Sequence, residues 1–356
     1  IVVANGERVL AKFRFTATNE NMTLNKVKFL VNTAASLTAT TTAVADEAPI
    51  ISLYDGATKV GGPYYVEASG DNAGQVVVEG LGWAIPKDSS KTLTVKGTLN
   101  SISSGADSGS SVVVNVKSAT ASGQGFEASG ATAKDNTITG ASGNVKVVYK
   151  TKPTITVASA GGTLTAGSVP VIRFTVAADS AEQVSWKKVQ LYVGMTAATM
   201  SKPDWAANTP SATGNVKVKD LSSGTNLSIG TVYSGATTAA VTTSTIAGGA
   251  SGYVTLILEN EEQIAAGGSK SYEVSLTFAD VSSTAGAASA VVKLHRGEAT
   301  LVSATTYGNA ETATEDGAPS FIWSDNSATG HGLTTADWAN SYYVKTLPSD
   351  SFTTKN

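Results

Sequence analysis

Two histidines and no cysteine set narrow limits on the chemistry open to this 356-residue chain. Without cysteine there is no disulfide, no thiolate metal site and no sulfur nucleophile. His295 closes the run Val291-Val292-Lys293-Leu294-His295, on the face of Val291 and Lys293, and reads as an exposed strand residue. His331 lies between Gly330 and Gly332, and neither histidine has a second one at metal-ligand spacing. A Ser-His-Asp relay draws its members from remote segments, so hydrolysis would require His331 to meet Asp325 or Asp337 in one pocket. No G-x-S-x-G elbow, Walker loop or G-x-G-x-x-G on a strand–helix unit is present. The chain reads as a non-enzyme.

Hard-cation chemistry has somewhat more material. Asp179 with Glu182, Asp325 beside Asn326, Asn19-Glu20-Asn21 and Glu259-Asn260-Glu261-Glu262 place oxygen donors between apolar runs. A structural calcium ion, with Asp179, Glu182 and Asp325 as its candidate ligands, is the one cofactor these residues suggest, although none follows EF-hand spacing. Asn21-Met22-Thr23 and Asn226-Leu227-Ser228 fit the glycosylation sequon. Aromatic residues make up 7% of the chain, yet Phe321, Trp323, Trp338, Tyr342 and Tyr343 crowd into one tail segment. Such rings close a core or form an interface. In an adhesin, Trp205, Trp323 and Trp338 would stack on sugar rings.

The elements that position these residues are strands. Charged residues reach 15%, against about 25% in ordinary soluble domains. The net charge of -3 gives no general attraction to nucleic acid or to an anionic membrane. No apolar run approaches the roughly 20 residues of a membrane helix, so membrane insertion is not expected. No leader precedes Ile1, and the chain reads as processed or as cut from something longer. Period-two alternation dominates: Val9, Ala11, Phe13, Phe15 and Ala17 share one face, and Tyr272, Val274, Leu276 and Phe278 share another. Breakers such as Asp55-Gly56, Gly62-Pro63 and Ala266-Gly267-Gly268 punctuate the runs.

An internal repeat organises the whole. GERVLAKFRFTATNENMTLNKVKFLV from Gly6 matches GSVPVIRFTVAADSAEQVSWKKVQLYV from Gly167, pairing Phe13 with Phe174 and, after one inserted residue, Lys26 with Lys188. Tyr54-Asp55 sits opposite Lys219-Asp220. Ile85, Ser90-Lys91, Val95 and Leu99 meet Ile264, Ser269-Lys270, Val274 and Phe278 at one offset, and Lys150-Thr151-Lys152-Pro153 matches Lys345-Thr346-Leu347-Pro348. The fold expected is all-β, two tandem immunoglobulin-like sandwiches related by duplication, with domains over 1–153 and 154–356. Ahead of Gly6 stands a bare apolar stretch, Ile1, Val2, Val3 and Ala4, of the kind that completes a neighbour's sheet by strand addition.

The tail FIWSDNS from Phe321, followed by DWANSYYVKTLP from Asp337, resembles the endings of large secreted proteins of uncultured candidate-phyla bacteria. The openings GERVLAKFRFTA and VPVIRFTVAA are similar to tandem β-sandwich repeats of the same proteins. This resemblance implies export and a cell-surface or filament role, and supplies no catalytic residue. The expected function is a structural subunit of an extracellular filament or surface layer whose partners are other copies of itself. The alternative is a cell-surface adhesin or carbohydrate-binding module.

Overall fold

The computed structural model describes residues 1–3, 6–33, 46–69, 73–119, 125–201, 215–236, 251–295, 320–341, 344, 347 and 350–356. Among these there are twenty-three strands, one 3-10 turn at Ile102–Ser104 and no α-helix. They fall into two compact units, Ile1–Lys150 and Thr151–Asn356. The second unit starts ahead of Pro153, because the strand beginning there pairs within it.

In the first unit, β1 (Glu7–Ala17), β2 (Met22–Asn32), β3 (Ile50–Asp55), β4 (Thr58–Tyr65), β5 (Gln75–Ile85) and β6 (Ser89–Thr98) are the longer strands. After them come β7 (Ser111–Val116), β8 (Phe126–Ser129) and the short β9 (Lys134–Asp135), β10 (Ala141–Ser142) and β11 (Lys146–Val147). One sheet has the order β1-β6-β3-β4. The other is centred on β2, which pairs with β5, β7 and β8. Phe13, Phe29, Leu24, Ile51, Leu93 and Val95 fill the space between them, each such side chain stabilising the fold by about 1.5–3 kcal/mol.

In the second unit, β12 (Pro153–Ser159), β13 (Gly167–Ala178), β14 (Val184–Thr196), β15 (Ala198–Met200), β16 (Val216–Asp220) and β17 (Ile229–Ala236) come first. β18 (Ser251–Ile264), β19 (Ser269–Val281), β20 (Ser289–Leu294), β21 (Phe321–Ser324), β22 (Trp338–Asn340) and β23 (Ser351–Lys355) complete it. One sheet runs β12-β13-β19, with β15 and β16 on the far side of β19. The other is centred on β14, which pairs with β18, β20 and β21.

Several pairings of the two units coincide at the offsets of the sequence repeat, although β4 pairs with β3 whereas β17 pairs with β18. Phe13 faces Leu93 as Phe174 faces Tyr272. Asp55 faces Leu93 as Asp220 faces Tyr272. β1 slips register between Val9 and Ala11, β13 between the matching Pro170 and Ile172. The central strands slip between Leu24 and Lys26 and between Trp186 and Lys188. A bulge adds one residue to one strand and interrupts the alternation, which corrects one expectation. Leu10 and Ala11 are both buried, and Val9 is displaced from the inward face to 42% exposure. Gly6 and Gly167 open the matched strands at φ +101° and +107°, a region that a side chain strains.

One matched pair of phrases parts company in space. Lys150-Thr151-Lys152-Pro153 leads into β12, which pairs with β13. Leu347 leads into β23, which pairs with β20, and 345, 346 and 348 lie outside the described residues. The similar phrases therefore precede strands with different partners.

Candidate functional site

The apolar N-terminal stretch docks within its own unit. Val3 donates its amide to Tyr149 O at 2.8 Å, and the Tyr149 amide donates to Ile1 O at 3.0 Å. Val2 and Val3 are 7% and 8% exposed, and Ile1 packs against the same core. The second unit repeats the device at the matched position, where fully buried Leu164 donates to Lys355 O at 2.9 Å. The expectation of a bare strand thus gives way to a docked one, because Ile1–Val3 satisfies its hydrogen bonds beside Val147–Tyr149. Ala4 lies outside the described residues.

β1 pairs with β6 on one side, and among the described residues no strand pairs with its other side. The matched strand β13 pairs with β19 on the corresponding side, and β12 covers its outer edge from Pro153↔Ala178 to Ser159↔Ile172. Cover changes the packing. Val176 is fully buried opposite Ile155, itself 1% exposed, whereas its counterpart Phe15 is only half-buried. Sequence reasoning did not anticipate this difference in cover among the described residues.

The tail aromatics are core. Phe321 is 1% exposed, Trp323 2% and Trp338 0%. Phe321 stacks at 6.1 Å on Trp186, which also meets Phe174 and Tyr272 edge-on. Trp323 donates its indole N–H to Asn340 O at 3.0 Å and Trp338 to Gly332 O at 2.8 Å. Buried rings with satisfied N–H groups present no platform to a sugar, which corrects the exposed-aromatic expectation for Trp323 and Trp338. Trp205, Tyr342 and Tyr343 lie outside the described residues.

His331 does meet Asp337. Its Nδ1 lies 2.7 Å from Asp337 Oδ2 and its Nε2 2.7 Å from Glu261 Oε2. Thr335 Oγ1 and Ser324 Oγ donate to Asp337 at 2.5 and 3.0 Å, and the Ala328 amide donates at 3.3 Å. Burial alone would raise the Asp337 carboxyl, but Thr335, the Ala328 amide, His331 and Ser324 together hold it below the usual carboxylate range. A hydrolytic relay needs Nε2 turned to a nucleophilic hydroxyl. Here Nε2 faces the second carboxylate, and both hydroxyls sit on the Asp337 side. The arrangement ties the loop between β21 and β22 to β18, a partnership with Glu261 that no sequence spacing announced. His295 also departs from expectation: it lies just past β20, half-buried, its ring 4.4 Å from Tyr253.

The loop carboxylates cap turns. Asp179 accepts from the Ala181 amide, Glu182 from the Gln183 amide and buried Asp325 from the Ser327 amide. Among the described residues no group of three or more His, Asp or Glu is arranged to hold a metal ion. Lys187, at the β14 bulge, donates to Glu259 O at 3.1 Å, and burial lowers its pKa against the pull of Glu261 and Glu259. Asn21 and Asn226 are exposed.

No protein-family model and no curated protein matches the chain. Among solved structures, the C-terminal domain of the AgI/II polypeptide BspA of Streptococcus agalactiae is similar at 8% identity and a TM-score of 0.20, over 78% of this chain and 80% of that one. The major pilin subunit of Bacillus cereus, a BcpA variant, gives 15% identity and a TM-score of 0.20, over 76% of this chain and 64% of that one. A membrane-anchored protein of Corynebacterium diphtheriae gives 9% and 0.19, over 81% of this chain and 54% of that one. Likenesses of this order assign no role, and the functional reading stands on the chain's own geometry.

Proposed function

We propose that this chain is a structural subunit of an extracellular filament or surface assembly that grows by β-strand addition between subunits. The observation that supports it is that an apolar stretch, Ile1–Val3, docks by backbone hydrogen bonds beside Val147–Tyr149 in an otherwise all-strand unit, the kind of contact that a strand passed between subunits would use. Backbone hydrogen bonds along such a contact supply affinity, and alternate side chains supply register. We read the two units as copies of one module, since the registers and bulges of β1–β6 and β13–β19, and of β2–β5 and β14–β18, coincide at the repeat offsets. A strand passed head to tail gives a contact that does not close on itself, and hence an open filament. The extracellular location rests on the resemblance of the tail.

Of the rings that the adhesin reading invokes, Trp323 and Trp338 are buried, and Trp205 lies outside the described residues. Sedimentation velocity over a concentration series, with negative-stain microscopy of the same samples, tests the proposal. Ordered assemblies that grow with concentration are expected. A monomer throughout, combined with retention on a glycan array, would instead establish the adhesin.

A further inference from the structure

The second unit buries a hydroxyl against a carboxamide. Gln190 of β14 lies directly opposite Thr255 of β18, and both are 0% exposed. Gln190 Nε2 donates to Thr255 Oγ1 at 2.8 Å, while Gln190 Oε1 has no hydrogen-bond partner among the described residues. A buried carbonyl oxygen without a donor is costly and calls for an explanation. The matched residue of the first unit, Lys28, faces Val77 instead, so the shared scaffold does not require the pair. On the other side of β14, the His295 amide donates to Gln190 O at 2.9 Å, which sets His295 abreast of Gln190. Residues directly opposite share a face of the sheet, so Thr255, Gln190 and His295 stand in one row. Tyr253, on the same face of β18 as Thr255, meets the His295 ring at 4.4 Å, which draws the imidazole over β14 toward β18.

We propose that Thr255 and Gln190 join in a self-formed ester that cross-links β14 to β18. Thr255 Oγ1 attacks Gln190 Cδ, its proton passes to the imidazole of His295, and the C–N bond then breaks. The leaving nitrogen takes that proton back and departs as ammonia. A C–O bond thus replaces a C–N bond, with no change of oxidation state and no co-reactant. The strand register supplies the approach that two free molecules would have to find. Burial keeps out the water that would hydrolyse the carboxamide or the product. The link closes residues 190–255 into a covalent loop, and it is independent of any strand exchange between subunits.

Intact-mass spectrometry of the folded full chain, denatured for measurement, tests this. A mass below that of the sequence by one ammonia, about 17 Da, is expected, with tandem spectra placing a branch between the peptides that hold Gln190 and Thr255. Mild alkali should open the ester and add one water. Thr255→Ser keeps the hydroxyl and should keep the loss, whereas Thr255→Val should show its full mass. In freshly made chain followed over time, His295→Gln should slow the loss about 100-fold; an unchanged rate removes His295 from the reaction. The full sequence mass in the folded parent, a branch that resists alkali, or a loss that persists in Thr255→Val overturns the proposal. Should Thr255→Val fail to fold, the branch site and the alkali release in the parent decide.

Discussion

Replacing His331 with alanine tests whether the His331–Asp337–Glu261 cluster is a structural tie. Both ring nitrogens lie 2.7 Å from carboxylate oxygens, with side-chain exposures of 13% for His331, 2% for Asp337 and 19% for Glu261. Removing one partner of a buried pair costs about 3–5 kcal/mol. The figure is smaller here, because Glu261 reaches water and Asp337 keeps Thr335, Ser324 and the Ala328 amide. Loss of the ring contact to Trp338, at 5.4 Å, adds to it. The expected loss is about 2–3 kcal/mol. In urea unfolding followed by tryptophan fluorescence at pH 7, that moves the second unit's midpoint down by about 1 M at an unchanged slope. A midpoint within about 0.2 M of the parent refutes the tie. An unchanged midpoint together with lost turnover of a hydrolysable substrate would make His331 a catalytic residue instead.

Three further outcomes follow from the same geometry. Folding lowers the Asp337 pKa, so its contribution is complete above the unfolded carboxylate value of about 4 and is lost as pH falls through the lower folded value; acid melts of Asp337→Asn should decline less steeply there than those of the parent. Ile155→Ala uncovers Val176 and should cost about 2–3 kcal/mol, seen as faster hydrogen exchange in β13 with β1 unchanged. Trp323→Ala should cost about 3–5 kcal/mol by chemical denaturation, whereas a surface sugar platform would lose ligand at unchanged stability.

Much of this architecture was legible in the residues. Alternation in Tyr272–Phe278 marked a strand with one wet face, and all four inward residues are buried. The matched phrases around Phe13 and Phe174 fall on strands whose registers to β6 and β19 coincide at the repeat offsets. Alternation failed at Val9, since a bulge shifts the period without altering composition. It also says nothing about β14, buried on both faces from Val184 to Leu191, polar Ser185, Lys187 and Gln190 included. The His331 partnership was half legible. Asp337 is a near neighbour in sequence, but Glu261 arrives on β18 from seventy residues away, and only the folded sheet brings it there. Aromatic density favoured a core-closing strand over an interface, and burial places Phe321, Trp323 and Trp338 in the core.

Hydrogen exchange on assembled and monomeric chain, compared strand by strand, tests the strand-addition account most directly. The account predicts that assembly slows exchange along one contiguous strand edge relative to the monomer. An assembly in which every strand exchanges as fast as in the monomer would contradict it.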